Sequence, residues 1–316
     1  MGWKTSETSK IEQYPNFYRV EFSEKDSVNI SLTPDSSGIY RTLNNFPETL
    51  TINTSTNTYT IVRKNGTIWD FSGFIPSSGL AVLQRVQNEE GKQMLFFYDS
   101  VGRLLKVQQL SEALQVVSEM EYEYDLILTE NVSRINVRSI DRGTLQNQKS
   151  IAYIYYQDGE NFGNIGDLKI VQSAIWSELE SKWKDTTAEY YRYYTHSGAF
   201  GKQHQLRMKF NAVDFAFLKE KFGEQWQFVN DDKALDYCTQ YFEYNAQNRV
   251  ALTRKNRNRL TYRYEYTNYS ENSDYNAVTR KTVEYGAHGE QTIVFTNFNE
   301  DVLLKEIKSP EIQEEQ

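Results

Sequence analysis

Residues 96–107 read FFYDSVGRLLKV, and this frame constrains the chain more than any other stretch. Phe96 and Tyr98 alternate along a strand, so both rings stand on one face. Asp99 follows, a side chain that bonds its own backbone two residues on and so opens a turn. Gly102 supplies the positive φ that such a turn needs. Arg103 begins the return strand, and Leu104 is its first apolar residue. The frame returns at Tyr244-Asn245-Ala246-Gln247-Asn248-Arg249-Val250, where Asn248 stands in for the glycine. Asn is the other residue that tolerates the left-handed region. Tyr124-Asp125, followed within ten residues by Arg134-Ile135, is a third instance, and Asn297–Leu303 is a fainter one. Hairpins repeated in this way pair edge to edge. They build a long curved sheet that depends on neighbours at both ends.

Strand and turn signals run from about residue 18 to residue 307. YTIVRKNGTIWDF (59–71) is the cleanest hairpin. Its Asn65-Gly66 pair predicts a two-residue turn with both central residues at positive φ. VNISLTPDSSGIYRTL (28–43) repeats the shape around Pro34, Asp35 and Gly38, and AVLQRVQNEEGKQMLFFYD (81–99) repeats it around Asn88–Gly91. EYEYDLILTENVSRINV (121–137), YFEYNAQNRVALT (241–253), TYRYEYTN (261–268), KTVEYGAHGEQTIVFTN (281–297) and FNEDVLLKEI (298–307) read as further strands and turns. One stretch departs from the pattern. NAVDFAFLKEKFG (211–223) sets Val213, Phe217 and Phe222 near one helical face, with Leu218 beside them, Asn211 as N-cap and Gly223 just past the end. WSELESKWK (176–184) reads as a helical turn or a long hairpin loop. The expected fold is therefore mainly β: repeated antiparallel hairpins in a long curved sheet, with one short helix near 211–223. The expected organisation is a frayed segment 1–17, hairpins 18–138, hairpins with a loop and helix insertion 139–240, hairpins 241–308 and a disordered tail 309–316.

Composition supports a sheet and narrows the partners. The chain holds 23 Tyr and 17 Phe against 4 Met and 5 Pro, and aromatic residues favour pleated, half-buried surfaces. A net charge of −8 argues against a nucleic-acid partner, whose proteins carry a basic face. The basic run RKNRNR (254–259) reads as a solvated turn between strands. No run approaches the roughly 18 apolar residues of a membrane helix, so no membrane insertion is expected. The start, MGWKTSETSKIEQYP, has no apolar core of a signal peptide. The expected location is secreted or cell-surface as part of a longer protein, or cytoplasmic if the chain stands alone.

The residues that carry chemistry are sparse. His196, His204 and His288 are the only histidines, and none sits in an HxH or HExxH spacing. Cys238 alternates with aromatics in DYCTQYF and reads as a packed small residue. DGENFGNIGD (158–167) is acid- and glycine-rich, but its spacing is not that of an EF-hand and it reads as a polar loop. No GxSxG, P-loop or GxGxxG stretch occurs. No catalytic residue, cofactor or metal is expected, and the chain reads as a non-enzyme. Aromatics at 14% admit glycans as partners, since exposed rings stack on apolar faces of ligands.

YDSVGRLLKV resembles the YDxxGRL signature of the Rhs/YD-repeat family. TYTIVRKNGTIWDF followed by GLAVLQRVQNEEGKQMLFFYD is similar to the entry region of an Rhs core, and YYRYYT (190–195) with LRMKF beyond it resembles a segment of large bacterial YD-repeat proteins. The resemblance covers roughly residues 38–138 well and 190–307 loosely. It implies sheets that wind into a hollow β-cocoon enclosing a C-terminal toxin or effector, with no chemistry of the shell itself. It assigns Tyr98, Asp99, Gly102, Arg103, Leu104, Tyr124, Asp125, Tyr244, Asn245, Asn248 and Arg249 to the repeat motif. The implied partners are flanking YD repeats or an encapsulated effector domain of the same polypeptide. The repeats here are unevenly spaced, and the DPxGL-like stretch that ends a closed core is absent, which fits an N-terminal part of a longer core. The alternative expectation is a surface carbohydrate-binding or adhesion module.

Overall fold

The structure is a computed structural model. It describes residues 9–23, 26–43, 48–53, 55–74, 79–141, 143–269 and 276–310. Among these lie twenty-two strands of one sheet and two short α-helices. By contacts the chain divides into two compact units, residues 1–151 with 174–184, and residues 152–173 with 185–316.

The first unit opens with strands β1 (Lys10–Gln13), β2 (Phe17–Ser23), β3 (Asp26–Ser31), β4 (Tyr40–Arg41), β5 (Thr49–Asn53), β6 (Thr58–Val62), β7 (Ile68–Phe71) and β8 (Leu80–Gln87). Antiparallel pairing runs from β1 through β2 to β3. A bridge from Ile30 to Thr42 carries it to β4. It continues in order from β4 to β8. Leu80–Val82 of β8 then pair back onto β1, so eight strands close a ring. Seven of them each turn one fully buried residue inward: Ile11, Val20, Ile30, Leu50, Ile61, Phe71 and Ala81, all 0% exposed. Burying an aliphatic or aromatic side chain of this kind stabilises by about 1.5–3 kcal/mol, so each strand is held by its own contribution to the core.

This closure corrects one expectation. The segment 1–17 is not frayed throughout, because Ile11 anchors β1 between β2 and β8. Residues 1–8 of that segment, and residues 311–316 of the expected tail, lie outside the described residues. The expected fold class stands: the chain is mainly β, with repeated antiparallel hairpins in one long curved sheet, and the ring is a feature of its first eight strands. The second half of β8, Arg85–Gln87, leaves the ring and pairs with β9 (Gln93–Tyr98). From there β10 (Leu104–Leu110), β11 (Val116–Tyr124) and β12 (Val132–Asp141) add in sequence.

Three long strands follow: β13 (Thr144–Tyr155), β14 (Leu168–Ser177) and β15 (Lys182–Tyr193). WSELESKWK is neither a helical turn nor a long loop. Only residues 178–181 separate β14 from β15, and Trp176 and Trp183 meet edge to face at 5.3 Å. Such a pair is worth about 0.5–1.5 kcal/mol beyond its burial, enough to favour the strand register over a helical turn.

In the second unit β16 (Leu206–Phe210) leads into α1 (Ala212–Phe222), a 3-10 turn and α2 (Asp231–Ala234). The chain then resumes hairpins with β17 (Gln240–Tyr244), β18 (Val250–Lys255), β19 (Leu260–Asn268), β20 (Arg280–Tyr285), β21 (Gln291–Thr296) and β22 (Val302–Lys308). The helix stands where the pattern put it, capped by Asn211 accepting from the Asp214 amide. Its buried face is different: Asp214, Phe215 and Leu218 face inward, while Val213 and Phe217 are exposed. The cause is Asp214. Its carboxylate accepts from Thr239 Oγ1 at 2.6 Å and from Arg257 Nε at 2.8 Å, which turns the helix towards those partners. Arg257 also lies over the Phe217 ring at 4.2 Å, so the basic run 254–259 is partly tied to the helix.

Candidate functional site

The repeat motif is an arrangement of side chains that recurs through both units. Eight hairpin turns share one geometry. They begin at Asp35, Arg63, Asn88, Asp99, Ser111, Asn245, Gly286 and Asn297. In each, the first residue's amide donates to the carbonyl four residues on, and its own carbonyl accepts from the amide three residues on. The fourth residue of each is left-handed, with φ between 58° and 91°. This is a three-residue loop, a type I turn closed by one left-handed residue. It corrects the reading of Asn65-Gly66: Gly66 alone has positive φ. Asn65 instead accepts the Thr67 amide on its side chain.

Asp99 shows why the motif needs an acid or amide first. Its Oδ1 accepts the amides of Val101 (3.0 Å) and Arg103 (2.9 Å), and its Oδ2 accepts Arg103 Nε at 2.7 Å. Burial opposes the charge on Asp99 most strongly. The two amides and the guanidinium together outweigh it and hold the carboxyl below its ordinary pKa. Asn245 reproduces the two amide bonds to Gln247 and Arg249, both at 3.0 Å, with Asn248 in the place of Gly102. Asn297 does the same for Asn299 and Asp301, with Glu300 left-handed. Tyr124-Asp125 is different. Asp125 caps a longer loop to Asn131, accepting the amides of Ile127 and Leu128. Arg134 does not return to it and sits 3.9 Å from Glu123.

The tyrosine of one repeat closes on the previous one. Tyr124 donates its hydroxyl to the Leu104 carbonyl at 2.8 Å, while Arg103 lies over its ring at 4.7 Å. Tyr266 donates to Val250 at 2.8 Å beneath Arg249, 5.3 Å from the ring centroid. Tyr244 donates to Leu206 at 2.8 Å. In all three the receiving residue precedes a register shift in its own strand. A β-bulge disrupts the ladder locally, and the carbonyl there takes a side chain as its partner. The motif thus divides its labour. In the Asp99 and Asn245 repeats, Asp or Asn and Gly or Asn build the turn, Arg covers the next ring, and the residue after Arg offers the carbonyl.

A second repeat lies in the second unit, and hairpin signals alone do not reveal it. Tyr156 and Tyr194 each begin the pattern Tyr-x5-Phe-Gly-x4-Leu. Gly163 and Gly201 pack on the two Tyr rings so closely that a Cβ would stand 2.2 Å and 2.5 Å from ring carbons. Both hydroxyls donate to strand carbonyls at 2.8 Å, Tyr156 to Tyr191 and Tyr194 to Phe242. The carbonyls of Phe162 and Phe200 accept the amides of Tyr193 and Tyr244. Burial pushes the Tyr156 and Tyr194 hydroxyls well above their ordinary pKa, so both stay protonated donors.

Chemistry-bearing residues elsewhere are engaged in packing contacts. His204 Nδ1 is 3.0 Å from Asp167 Oδ1, and His196 Nδ1 is 3.0 Å from Thr195 Oγ1. Among the described residues no three His, Cys, Asp or Glu side chains converge as metal ligands. The Cys238 thiol is buried and hydrogen-bonded to the Leu235 carbonyl. Burial, with Asp214 nearby, pushes it up to about 12. Where β9 leaves β8, Phe74, Phe96, Tyr98, Asn57 and Gln84 line a groove of about 500 Å³.

No family model matches the chain, and no curated protein does. Among solved structures it is similar to a chain of the Photorhabdus luminescens Tc holotoxin pore, with TM-score 0.43 and 8% identity over 96% of this chain and 19% of that one. It is also similar to TcdB2-TccC3, with TM-score 0.32 and 10% identity over 90% and 16%. A third similarity is to the N-terminal domain of the effector protein SpvB from Salmonella typhimurium strain LT2, with TM-score 0.25 and 11% identity over 58% and 73%. The chain therefore spans under a fifth of the two Tc toxin chains. All three scores lie below 0.5.

Proposed function

We propose that the chain is a non-enzymatic wall element of a β-shell, a run of clasped hairpins that shields an effector or toxin domain. That domain and the flanking YD repeats belong, on this reading, to the same secreted or cell-surface polypeptide. The observation that carries it is the tyrosine clasp at Leu104, Leu206 and Val250, which at three places binds a strand to the start of the one before it. Such a device suits a wall, where each repeat gains stability from its neighbours. The test is a blot, with an antibody raised to this chain, of cells that make it and of their medium. A band far above 37.1 kDa is expected. A band at this mass, with no larger partner co-purifying, overturns the wall reading.

A second reading, a carbohydrate-binding or adhesion module, draws support from the groove beside β8, where four aromatic residues lie with two amide side chains. Rings and amides together suit a sugar's apolar face and its hydroxyls. Saturable binding in a glycan titration that disappears in Tyr98→Ala is expected on this reading, and a flat titration across glycan classes removes it.

A further inference from the structure

The clasp has a direction, and one end of it is open. The three clasp tyrosines share one local sequence at or near the end of a strand: Tyr122-Glu123-Tyr124, Phe242-Glu243-Tyr244 and Tyr264-Glu265-Tyr266. Each hydroxyl reaches the first residue of the preceding antiparallel strand, just before that strand's register shift. Strand β22 begins in the same way. The Asn297 turn leads to Val302, and the register shifts between the partners of Val302 and Leu304. Val302 therefore stands where Leu104, Leu206 and Val250 stand. Among the described residues no tyrosine reaches its carbonyl, and β22 pairs only with β21. Along this edge Val302 is 61% exposed, Leu304 51% and Ile307 71%.

We propose that the edge of β22 is a docking site for an incoming antiparallel strand that carries aromatic-Glu-Tyr at or near its end, with the Val302 carbonyl accepting that tyrosine's hydroxyl. The proposal rests on the wall reading for its biological sense and on the three internal clasps for its geometry. A second copy of β22 fits poorly. Antiparallel self-pairing centred on Lys305 or Glu306 sets like charges opposite each other, which destabilises a strand pair. Centring on Leu304 places Val302 against Glu306 and Leu303 against Lys305. Lysines on an exposed edge also discourage indiscriminate pairing, so a partner strand must supply specific contacts. The clasp supplies them.

One difference at this end tunes the site. Asp301 occupies the position of Arg103 and Arg249. The incoming ring therefore lacks the guanidinium that covers Tyr124 and Tyr266. Asp301→Arg restores that cover and strengthens binding.

The experiment titrates the full chain with a synthetic peptide of residues 260–268, LTYRYEYTN, and follows amide hydrogen exchange together with fluorescence anisotropy. Slowed exchange confined to β22 is expected. The peptide with Tyr266→Phe binds roughly fivefold more weakly, the size of one net hydrogen bond. Asp301→Arg binds the unmodified peptide roughly two- to fivefold more tightly, as a partly exposed cation–π contact does. No slowing at β22 with millimolar peptide, slowing on another strand instead, or equal affinity for the Tyr and Phe peptides overturns the proposal. Peptide docking by a chain that runs alone at 37.1 kDa keeps the edge and removes the wall. A large polypeptide with no docking does the reverse.

Discussion

Arg103 lies over the ring of Tyr124, 4.7 Å from its centroid, while the Tyr124 hydroxyl bonds the carbonyl of Leu104, the residue next to that arginine. One repeat therefore grips the next through two adjacent residues. Tyr124→Phe keeps the ring and loses only the hydrogen bond, with an expected cost of about 1 kcal/mol. Arg103→Met removes the cation and its bond to Asp99. A double-mutant cycle in urea isolates the pair, and a coupling of about 0.5–1 kcal/mol is expected for a cation over a ring at a half-exposed site. A coupling of zero means the arginine serves its own turn only.

Asp99 and Asn245 perform the same task with different charge, which yields a pH prediction. Asp99→Ala removes the acceptor of two backbone amide bonds in the turn and is expected to cost about 1–2 kcal/mol at neutral pH. Asp99→Asn keeps both, as Asn245 does, and loses only the pairing with Arg103. The folded-state pKa of Asp99 is lowered from its ordinary 3.8. Its charge therefore contributes stability above about pH 3.8, and that contribution is lost as pH falls through the lower folded value. The stability gap between the native chain and Asp99→Asn is expected to shrink between pH 5 and pH 2. Urea melts at each pH check it, and a constant gap contradicts the assignment.

Much of the sheet was legible because its signals are local. Turn residues such as Asp99, Gly102 and Asn245 act on their own backbone, so spacing alone exposes them. The helix at 212–222 was legible from Asn211 and Gly223 for the same reason. Its buried face was not, because Asp214 answers to Thr239 and Arg257, which are distant in sequence. Ring closure was hidden too. Ile11 is a lone apolar residue in a polar stretch, and only the return of β8 reveals what it packs against. The clasp itself joins residues 16–38 apart, such as Tyr266 with Val250 and Tyr244 with Leu206. The motif named the participants without naming their partners.

The paired glycines of the second repeat make a steric prediction. A methyl group on Gly163 or Gly201 would enter the ring of Tyr156 or Tyr194, far inside contact distance. These rings are held by their own hydroxyl bonds and cannot retreat freely. Gly163→Ala and Gly201→Ala are each expected to destabilise by about 1–3 kcal/mol, the usual range for overpacking. In the Tyr194→Leu background Gly201→Ala should cost much less, because the ring it strikes is gone. Thermal melts of the two single variants and the double variant decide it, and simple additivity at the 194/201 pair refutes the steric account.

Arg192 is the heaviest polar commitment in the second unit, fully buried yet charged. Its Nη1 donates to the Val229 carbonyl at 2.7 Å and to Asp231 Oδ1 at 2.9 Å, its Nε donates to the Tyr190 hydroxyl, and its guanidinium lies 3.9 Å from the Phe162 ring centroid. These bonds tie the segment after α1 to strand β15. Removing one partner of a buried pair leaves the other uncompensated, so Arg192→Met is expected to cost about 3–5 kcal/mol. Arg207 still reaches Asp231 at 2.5 Å, which places the result towards the lower end. Cys238 reports on the same core, because its buried thiol, pushed up to about 12, is protonated and shielded at pH 8. If the segment loosens, the thiol regains an ordinary pKa near 8.5 and meets solvent. Arg192→Met should therefore react with a disulfide reagent at pH 8 many times faster than the native chain, under conditions where both remain folded by circular dichroism. Equal labelling rates would show that Arg192 does not hold the helical segment in place.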